Sequence, residues 1–413
     1  MQNKSNLVFP AILTVVLVFM SFGNLKAQIA NSYPFDSLIN NDPNVIFTEM
    51  FEQSSISAMI TSSSYQTSQL LSHINFDSSV PPGSHGTQSL KLTTVENSNL
   101  SNDPSEDANI LKKFLVGIAD SVFIRYYVKI NNSHTFHHTG VWMGGTNPAN
   151  QCWPCNYPGR SIPTSGDSAF VVGTEITGAA HQSSQSFAKL GFYNYWMGMK
   201  PYTSGPNAGK YYGNEFISPN ANASLDMTAW HCVETMIKLN NPIDSTGEIK
   251  LWINGLLIGH YGKGFPNGTW NQANFNEGIG SPFEGFRWRR NPNVVFNYIW
   301  LKNYSDNNVS YPSNNNVLYD HIVVAKKYIG PISTNITTGL SALNSTPGIL
   351  TYPNPAKESV SFSQKVKNLF VYNIYGQLIL QENDVTSIST TNLKDGLYVI
   401  QTDNQIHKIF IRH

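Results

Sequence analysis

Side chains able to move protons or hold anions recur on one side of several alternating runs. In DSVFIRYYVKI (120–130), period two puts Val122, Ile124, Tyr126, Val128 and Ile130 together. Phe123, Arg125, Tyr127 and Lys129 fall on the opposite side. In KLGFYNYWM (189–197), Lys189, Gly191, Tyr193 and Tyr195 oppose Leu190, Phe192, Asn194 and Trp196. WHCVETMIKLNN (230–241) and GEIKLWING (247–255) set Glu234, Lys238, Lys250 and Trp252 against aliphatic residues. Each polar side carries a base and a ring, and the last two strands add a carboxylate. A concave sheet face of this make-up would hold an extended sugar chain, with rings stacked on sugar faces and cations meeting acidic groups. The same residues also suit a solvated convex face.

Two reactions on such a chain need different parts. Glycosidic hydrolysis needs two carboxylates flanking the bond. GTEITGAAH (173–181) holds only Glu175 and HCVETMIK (231–238) only Glu234, and no Glu-x-Asp-x-x-Glu strand is present. Elimination beside a uronate needs a group that neutralises the carboxylate, a base for the C5 proton and an acid for the leaving oxygen. Arg125 and Arg287 suit the first task, and Tyr193 or His138 the other two. His138 lies in HTFHHTGVW (134–142), in parity with Trp142. Arg287 lies in EGFRWRRNPNVVFNYIWL (284–301), the densest cationic and aromatic cluster, followed by Asn297 on a strand. Arg forks bind carboxylates in bidentate fashion. Tyr127, Tyr195 and Trp252 would form subsites, with Lys189, Glu234, Lys238, Lys250 and Asn297 as further ligand contacts. The alternatives are a non-catalytic carbohydrate-binding or adhesive module, and a glycoside hydrolase without the usual signature.

The elements that must position these groups are strands. Short alternating runs separated by Gly, Asn, Pro and Ser clusters fill the chain, and helical periodicity is hard to find. About ten strands over residues 28–331 fit one large two-sheet domain. LKKF (111–114) and NVLYD (316–320) are ambiguous. Residues 332–350 are small, polar and aperiodic, as in a linker. A separate small β-sandwich is expected over 351–413.

Of the 413 residues, 13% are charged and 12% aromatic, and the formal net charge is zero. Bulk electrostatics therefore favour neither nucleic acid nor an anionic membrane. Residues 1–27 read as a signal peptide: Lys4, an apolar run from Leu7 to Phe22, and Leu25-Lys26-Ala27 before the cleavage point. No later segment suits a membrane span, so the mature chain should be exported and soluble. Three cysteines allow at most one internal bridge. Cys152 and Cys155 lack a second pair for zinc and the helix of a redox motif. A structural disulfide is expected, either between them or from one of them to Cys232. No cofactor is implied, although structural calcium is compatible with the sequence.

Two resemblances add to this reading. YPNP (352–355), VYNIYGQLI (371–379), LKDGLYVIQ (393–401) and KIFI (408–411) together resemble the type A sorting domain of the type IX secretion system. This implies a Gram-negative bacterial source, handling by that machinery, and release or surface attachment. WHCVETMIKLNN…GEIKLWINGLLI and YDHIVVAKKYIG resemble the concanavalin-like jelly rolls of lectins, lyases and glycosidases. The resemblance implies an all-β, two-sheet fold. Within it, AKLGFYNYW is similar to the Lys-x-Gly-x-Tyr-Asn-Gln strand of alginate-lyase jelly rolls. Lys189, Gly191, Tyr193 and Asn194 match, and Tyr195 stands in place of Gln. The resemblance implies that Tyr193 acts as acid and base. The family's Arg-x-Glu-x-Arg and Gln-x-His strands are not visible.

Overall fold

The alternating runs pair into two sheets whose apolar sides face each other, in a computed structural model. It describes residues 28–66, 71–94, 108–131, 138–149, 159–177, 187–303, 315–334, 349, 351–373, 378–402 and 406–413. The chain divides into two compact units, Met1–Ile336 and Thr337–His413. The expected signal peptide, most of the linker, His134, His137, Cys152 and Cys155 lie outside the described residues.

In the first unit, sheet I runs in the order Leu256–Tyr261, Glu248–Ile253, His231–Lys238, Ser121–Asn131, Asn315–Ala325, Ser89–Thr94, Ile74–Asp77. Val45–Glu49 pairs with Asn315–Ala325. Sheet II includes, in order, Asn274–Glu277, Asn214–Phe216, Phe187–Tyr195, Ala169–Ile176, Gly140–Thr146, Phe296–Asn303 and Ala108–Ile118. Its pairs are antiparallel except Asn214–Phe216 with Asn274–Glu277. The two sheets form the all-β, two-sheet sandwich expected from the sequence. Both ambiguous runs, 111–114 and 316–320, are strands. The hairpin Asn267–Asn271 and Asn274–Glu277 is an addition to the expected set.

Period two works as expected on the core side. Val122, Ile124, Tyr126, Val233, Ile237 and Leu251 are buried between the sheets. Thr174 of sheet II and Thr235 of sheet I meet there, Oγ1 to Oγ1, at 2.8 Å. The second unit holds a five-stranded sheet built on the long strand Ser359–Asn373, with Val360, Val371, Ile400 and Ile411 in its own core.

The outer side of sheet I is covered. Residues 29–42 and 326–333 lie across it, and Ile29, Ile39 and Ile329 bury against Val323 and Ala325. Ile29 and Ala30 donate N–H bonds to Tyr328 and Ile329, and Phe35 to Ser333. Beneath this layer Arg125 is 0% exposed. A buried guanidinium needs a partner, and Asp36 supplies it at 2.5 Å. Phe35, Asp36 and Leu38 take φ values of 59°, 57° and 61° to turn that carboxylate inward. Such values are costly outside glycine. Burial alone would raise the Asp36 carboxyl, but Arg125 and His321 outweigh it and hold it below its usual range.

The register explains the rest of this face. Glu234 lies opposite Arg125 on one side and Trp252 on the other. Its carboxylate accepts the N–H groups of Ile329 and Gly330, each at 2.8 Å. Burial raises it to about 7 against those two bonds. Tyr127 accepts the Ile332 N–H through its hydroxyl. Cys232 is a free, buried thiol, pushed up to about 12 by burial. A bridge from it to Cys152 or Cys155 is therefore not formed.

Three substitutions test this face. Asp36→Ala should cost about 3–5 kcal/mol in urea unfolding, because it strands a buried cation. Lys238→Ala breaks an exposed pair with Glu248 and should cost at most about 1 kcal/mol. Asp320, 1% exposed, is raised by burial to about 8. The folded state thus keeps a proton that the unfolded chain loses near pH 4. Stability contributed by this group should fall as pH rises through that window, by at most about 1.4 kcal/mol per pH unit. Asp320→Asn should flatten the slope; an unchanged slope would count against a neutral Asp320.

Candidate active site

The outer side of sheet II carries a different chemistry. Three cross-strand rows follow from its register. The first is Asn109, Lys302, Gly140, Glu175 and Gly191. The second is Leu111, Trp300, Trp142, Gly173, Tyr193 and Glu215. The third is Lys113, Tyr298, Gly144, Val171 and Tyr195. Their neighbours in sequence, such as Val141, Met143, Val172, Phe192 and Leu301, point into the core.

His138 precedes this sheet with φ of 52°. Its Nδ1 lies 2.9 Å from Glu175 Oε1. The Trp142 indole N–H donates to Glu175 Oε2. Both contacts depend on small residues. At Gly140, φ is 155° and a Cβ would lie 2.7 Å from the Glu175 Cα. At Gly173 a Cβ would meet Trp142 Nε1 at 2.8 Å. The two glycines let the His138 and Trp142 side chains converge on one carboxylate.

Aromatic rings surround that carboxylate. The His138 and Tyr193 ring centroids are 4.8 Å apart, and His138 and Trp142 5.2 Å. Trp300 meets Trp142 edge-on at 5.7 Å. The Lys302 ammonium lies 3.6 Å from the Trp142 centroid and 4.1 Å from that of Trp300. The Trp300 N–H donates to Asn109 at 3.1 Å. Although on an outer face, Trp142 is 7% exposed, Tyr193 8% and Lys302 4%. Charges and dipoles act strongly in so dry a place. One hydroxyl from sheet I, that of Tyr319, bonds the carbonyls of both Gly140 and Lys302.

The Tyr193 and Tyr195 hydroxyls are hydrogen-bonded to each other, and the Gly213 N–H reaches both. Burial pushes Tyr193 well above its ordinary value and Tyr195 up to about 12. Both therefore stay protonated at neutral pH.

Of the twelve residues singled out in the sequence, His138, Tyr193 and Tyr195 come together here. Lys189 lies near the start of the same strand, half-buried and electrostatically coupled to Glu277. The expectation that Arg125, Lys238, Lys250 and Trp252 share a surface with Tyr193 is not met, because they belong to sheet I. Arg125, Tyr127 and Glu234 anchor the covering layer. Lys238 pairs with Glu248 at 2.7 Å, Lys250 lies between Met236 and His260 in the register, and Trp252 packs between Phe123 and Tyr328.

The Arg-rich cluster is also structural. Trp288 is fully buried and stacked on Phe286 at 4.2 Å. Arg289 donates to the carbonyls of Ala119, Asn240, Pro292 and Val294, and Arg290 forks onto Asp167. Arg287 donates to the Pro242 carbonyl at 3.0 Å. Asn297 uses both ends of its amide on the Thr146 backbone. Trp300 and Lys302 were not expected at the site, and Glu175 was expected only as a lone carboxylate. Period two in FNYIWLK (296–302) puts Tyr298, Trp300 and Lys302 on one side and was the available signal.

A second cluster has the connectivity of a hydrolytic triad. Ser84 Oγ is 2.7 Å from His321 Nε2, and His321 Nδ1 is 2.7 Å from Asp36. Asp36 is, however, neutralised by Arg125, and the Ser84 oxygen accepts the Gly86 N–H at 2.9 Å. Burial also lowers the His321 imidazole, against the pull of Asp36. These groups latch the covering layer to sheet I. Among the described residues, no group of three or more His, Cys, Asp and Glu side chains is placed to hold a metal ion. No helix among them is long and apolar enough to cross a membrane.

Residues 350–412 match the family described as the secretion system C-terminal sorting domain. No curated protein matches the chain. Among solved structures, the chain is similar to a marine alginate lyase from Aplysia kurodai at 11% identity and TM-score 0.41, over 68% of this chain and 99% of that one. An alginate lyase from a Chlorella virus matches at 14% and 0.39, over 69% and 100%. A glucuronan lyase from the fungus Trichoderma reesei matches at 14% and 0.34, over 69% and 92%. At such identities and TM-scores the likeness bears on neither substrate nor reaction.

The seat of Tyr193 can be tested directly. A Cβ at Gly213 would lie 2.2 Å from the Tyr193 ring. Gly213→Ala should cost about 1–3 kcal/mol and displace that ring. Unchanged stability with Tyr193 in place would show that the 213 backbone does not position it.

Proposed function

We propose that the first unit is a polysaccharide lyase that cleaves an acidic, uronate-containing polysaccharide by β-elimination. The observation that carries this reading is the His138–Tyr193 pair, 4.8 Å between centroids, on a dry face lined by Trp142, Trp300 and Lys302. Two proton carriers side by side suit a reaction that removes one proton and delivers another. Glu175, the buried carboxylate of this cluster, is already engaged by His138 and Trp142, which does not favour a two-carboxylate hydrolysis.

The roles follow from the environment of each group. His138 takes the C5 proton. The electron pair forms the C4–C5 double bond as the bond from C4 to the glycosidic oxygen breaks. Tyr193, kept protonated by burial, donates its proton to that oxygen. Lys302 supplies positive potential that draws in the uronate carboxylate and eases loss of the C5 proton. Trp142 and Trp300 flank Lys302 and offer ring edges and faces to the sugars. No cofactor enters these steps. The C-terminal sorting domain hands the chain to the type IX secretion machinery, for release or surface attachment, where such polymers are found.

The test is to incubate the full chain with alginate, glucuronan and pectin and to follow ultraviolet-absorbing unsaturated uronate ends. At least one polymer should yield them, and Tyr193→Phe should lower turnover by about 10²–10⁴. Saturable binding without product would support a binding module instead. Reducing ends without ultraviolet absorption would indicate hydrolysis.

A further inference from the structure

We propose that Glu175 sets the tautomer of His138, and that the Trp142 N–H decides which end of the residue 175 side chain faces the imidazole. For its consequence in catalysis this rests on the lyase reading; for the tautomer itself it does not. Glu175 is a positioning residue in this scheme, acting through His138.

The argument is one of donors and acceptors. An indole N–H can only donate, and that of Trp142 occupies Glu175 Oε2. The other oxygen, Oε1, faces His138 Nδ1 at 2.9 Å. A carboxylate only accepts, so Nδ1 must carry the hydrogen of the neutral ring. Nε2 is then the nitrogen able to accept a proton from substrate. Glu175 is 1% exposed and its backbone is pressed against Gly140, so this arrangement is held by packing. Among the described residues, the charged and titratable groups that act on Glu175 include His138, Tyr193, Tyr195 and Tyr319, with Lys302 beyond the Trp142 ring.

Glutamine at 175 keeps the shape but carries one acceptor and one donor. Trp142 claims the amide oxygen, which turns the NH₂ group toward His138. Nδ1 must then accept, the hydrogen moves to Nε2, and the ring loses its basic nitrogen on the substrate side. Removing the Trp142 donor reverses this. In a Trp142→Phe background the amide is free to turn and present its oxygen to Nδ1–H. A second substitution then repairs part of the damage done by the first. A purely structural role for Glu175 predicts no such repair.

The decisive measurement is nitrogen NMR of His138 in the full chain, at a pH where the ring is neutral. Its signals are assigned by their loss in His138→Gln. The expected tautomer is Nδ1–H in the wild type, Nε2–H in Glu175→Gln, and Nδ1–H again in Trp142→Phe/Glu175→Gln. Nε2–H in the wild type overturns the proposal without need of any variant. So does Nδ1–H retained in Glu175→Gln. In turnover, Glu175→Gln should cost about 10²–10⁴ in kcat with little change in KM. The same change in the Trp142→Phe background should cost no more than about tenfold, a positive coupling in the double-mutant cycle. Equal costs in both backgrounds overturn the catalytic part. The expected tautomers with no cleavage of any polyuronate would sink the lyase reading and leave the tautomer assignment standing.

Discussion

Burying the Arg125 guanidinium organises the first unit. A full charge at the centre of a sheet face is tolerable only with an ionic partner. The partner, Asp36, comes from a segment with three left-handed residues among four consecutive positions. Drawing Asp36 inward brings Ile29 and Ile39 with it, and these close over the outer side of sheet I. The segment after the last strand completes the cover by donating N–H groups to Glu234 and Tyr127. The part of that face around Arg125 is thereby covered.

Sheet II is organised the other way. Its outer side has glycines wherever a large side chain must lean across a neighbouring strand. Gly173 makes room for the Trp142 indole and Gly140 for the approach to Glu175. Among the described residues the rings pack against one another, and the Lys302 ammonium lies over two indole faces. Removal of solvent strengthens each polar contact in the cluster.

Much of the fold was legible in the sequence because a strand face is set by parity alone. The core sides of 120–130, 189–197 and 230–254 were all assigned correctly, as was the sorting domain, whose motifs are contiguous. Parity does not say what lies over the other side. Arg125, Glu234 and Lys238 read like a ligand-binding row, but the residues that cover or pair them, Asp36, Ile329 and Glu248, lie in other parts of the chain. The cluster at 284–301 misled for a related reason: arginines beside tryptophan look alike whether they meet a ligand or, as Arg289 does, a set of backbone carbonyls. Glu175 was set aside for being a single carboxylate. Its contacts with His138 and Trp142 span 37 and 33 positions, and no local pattern reports them.

The Tyr319 hydroxyl reaches from sheet I to two carbonyls of sheet II, those of Gly140 and Lys302. These two residues bracket the His138 and Trp142 cluster. The backbone beneath the cluster is therefore pinned from the opposite sheet as well as by its own strands. Loosening the contact between the two sheets would reach the outer face of sheet II through those two carbonyls.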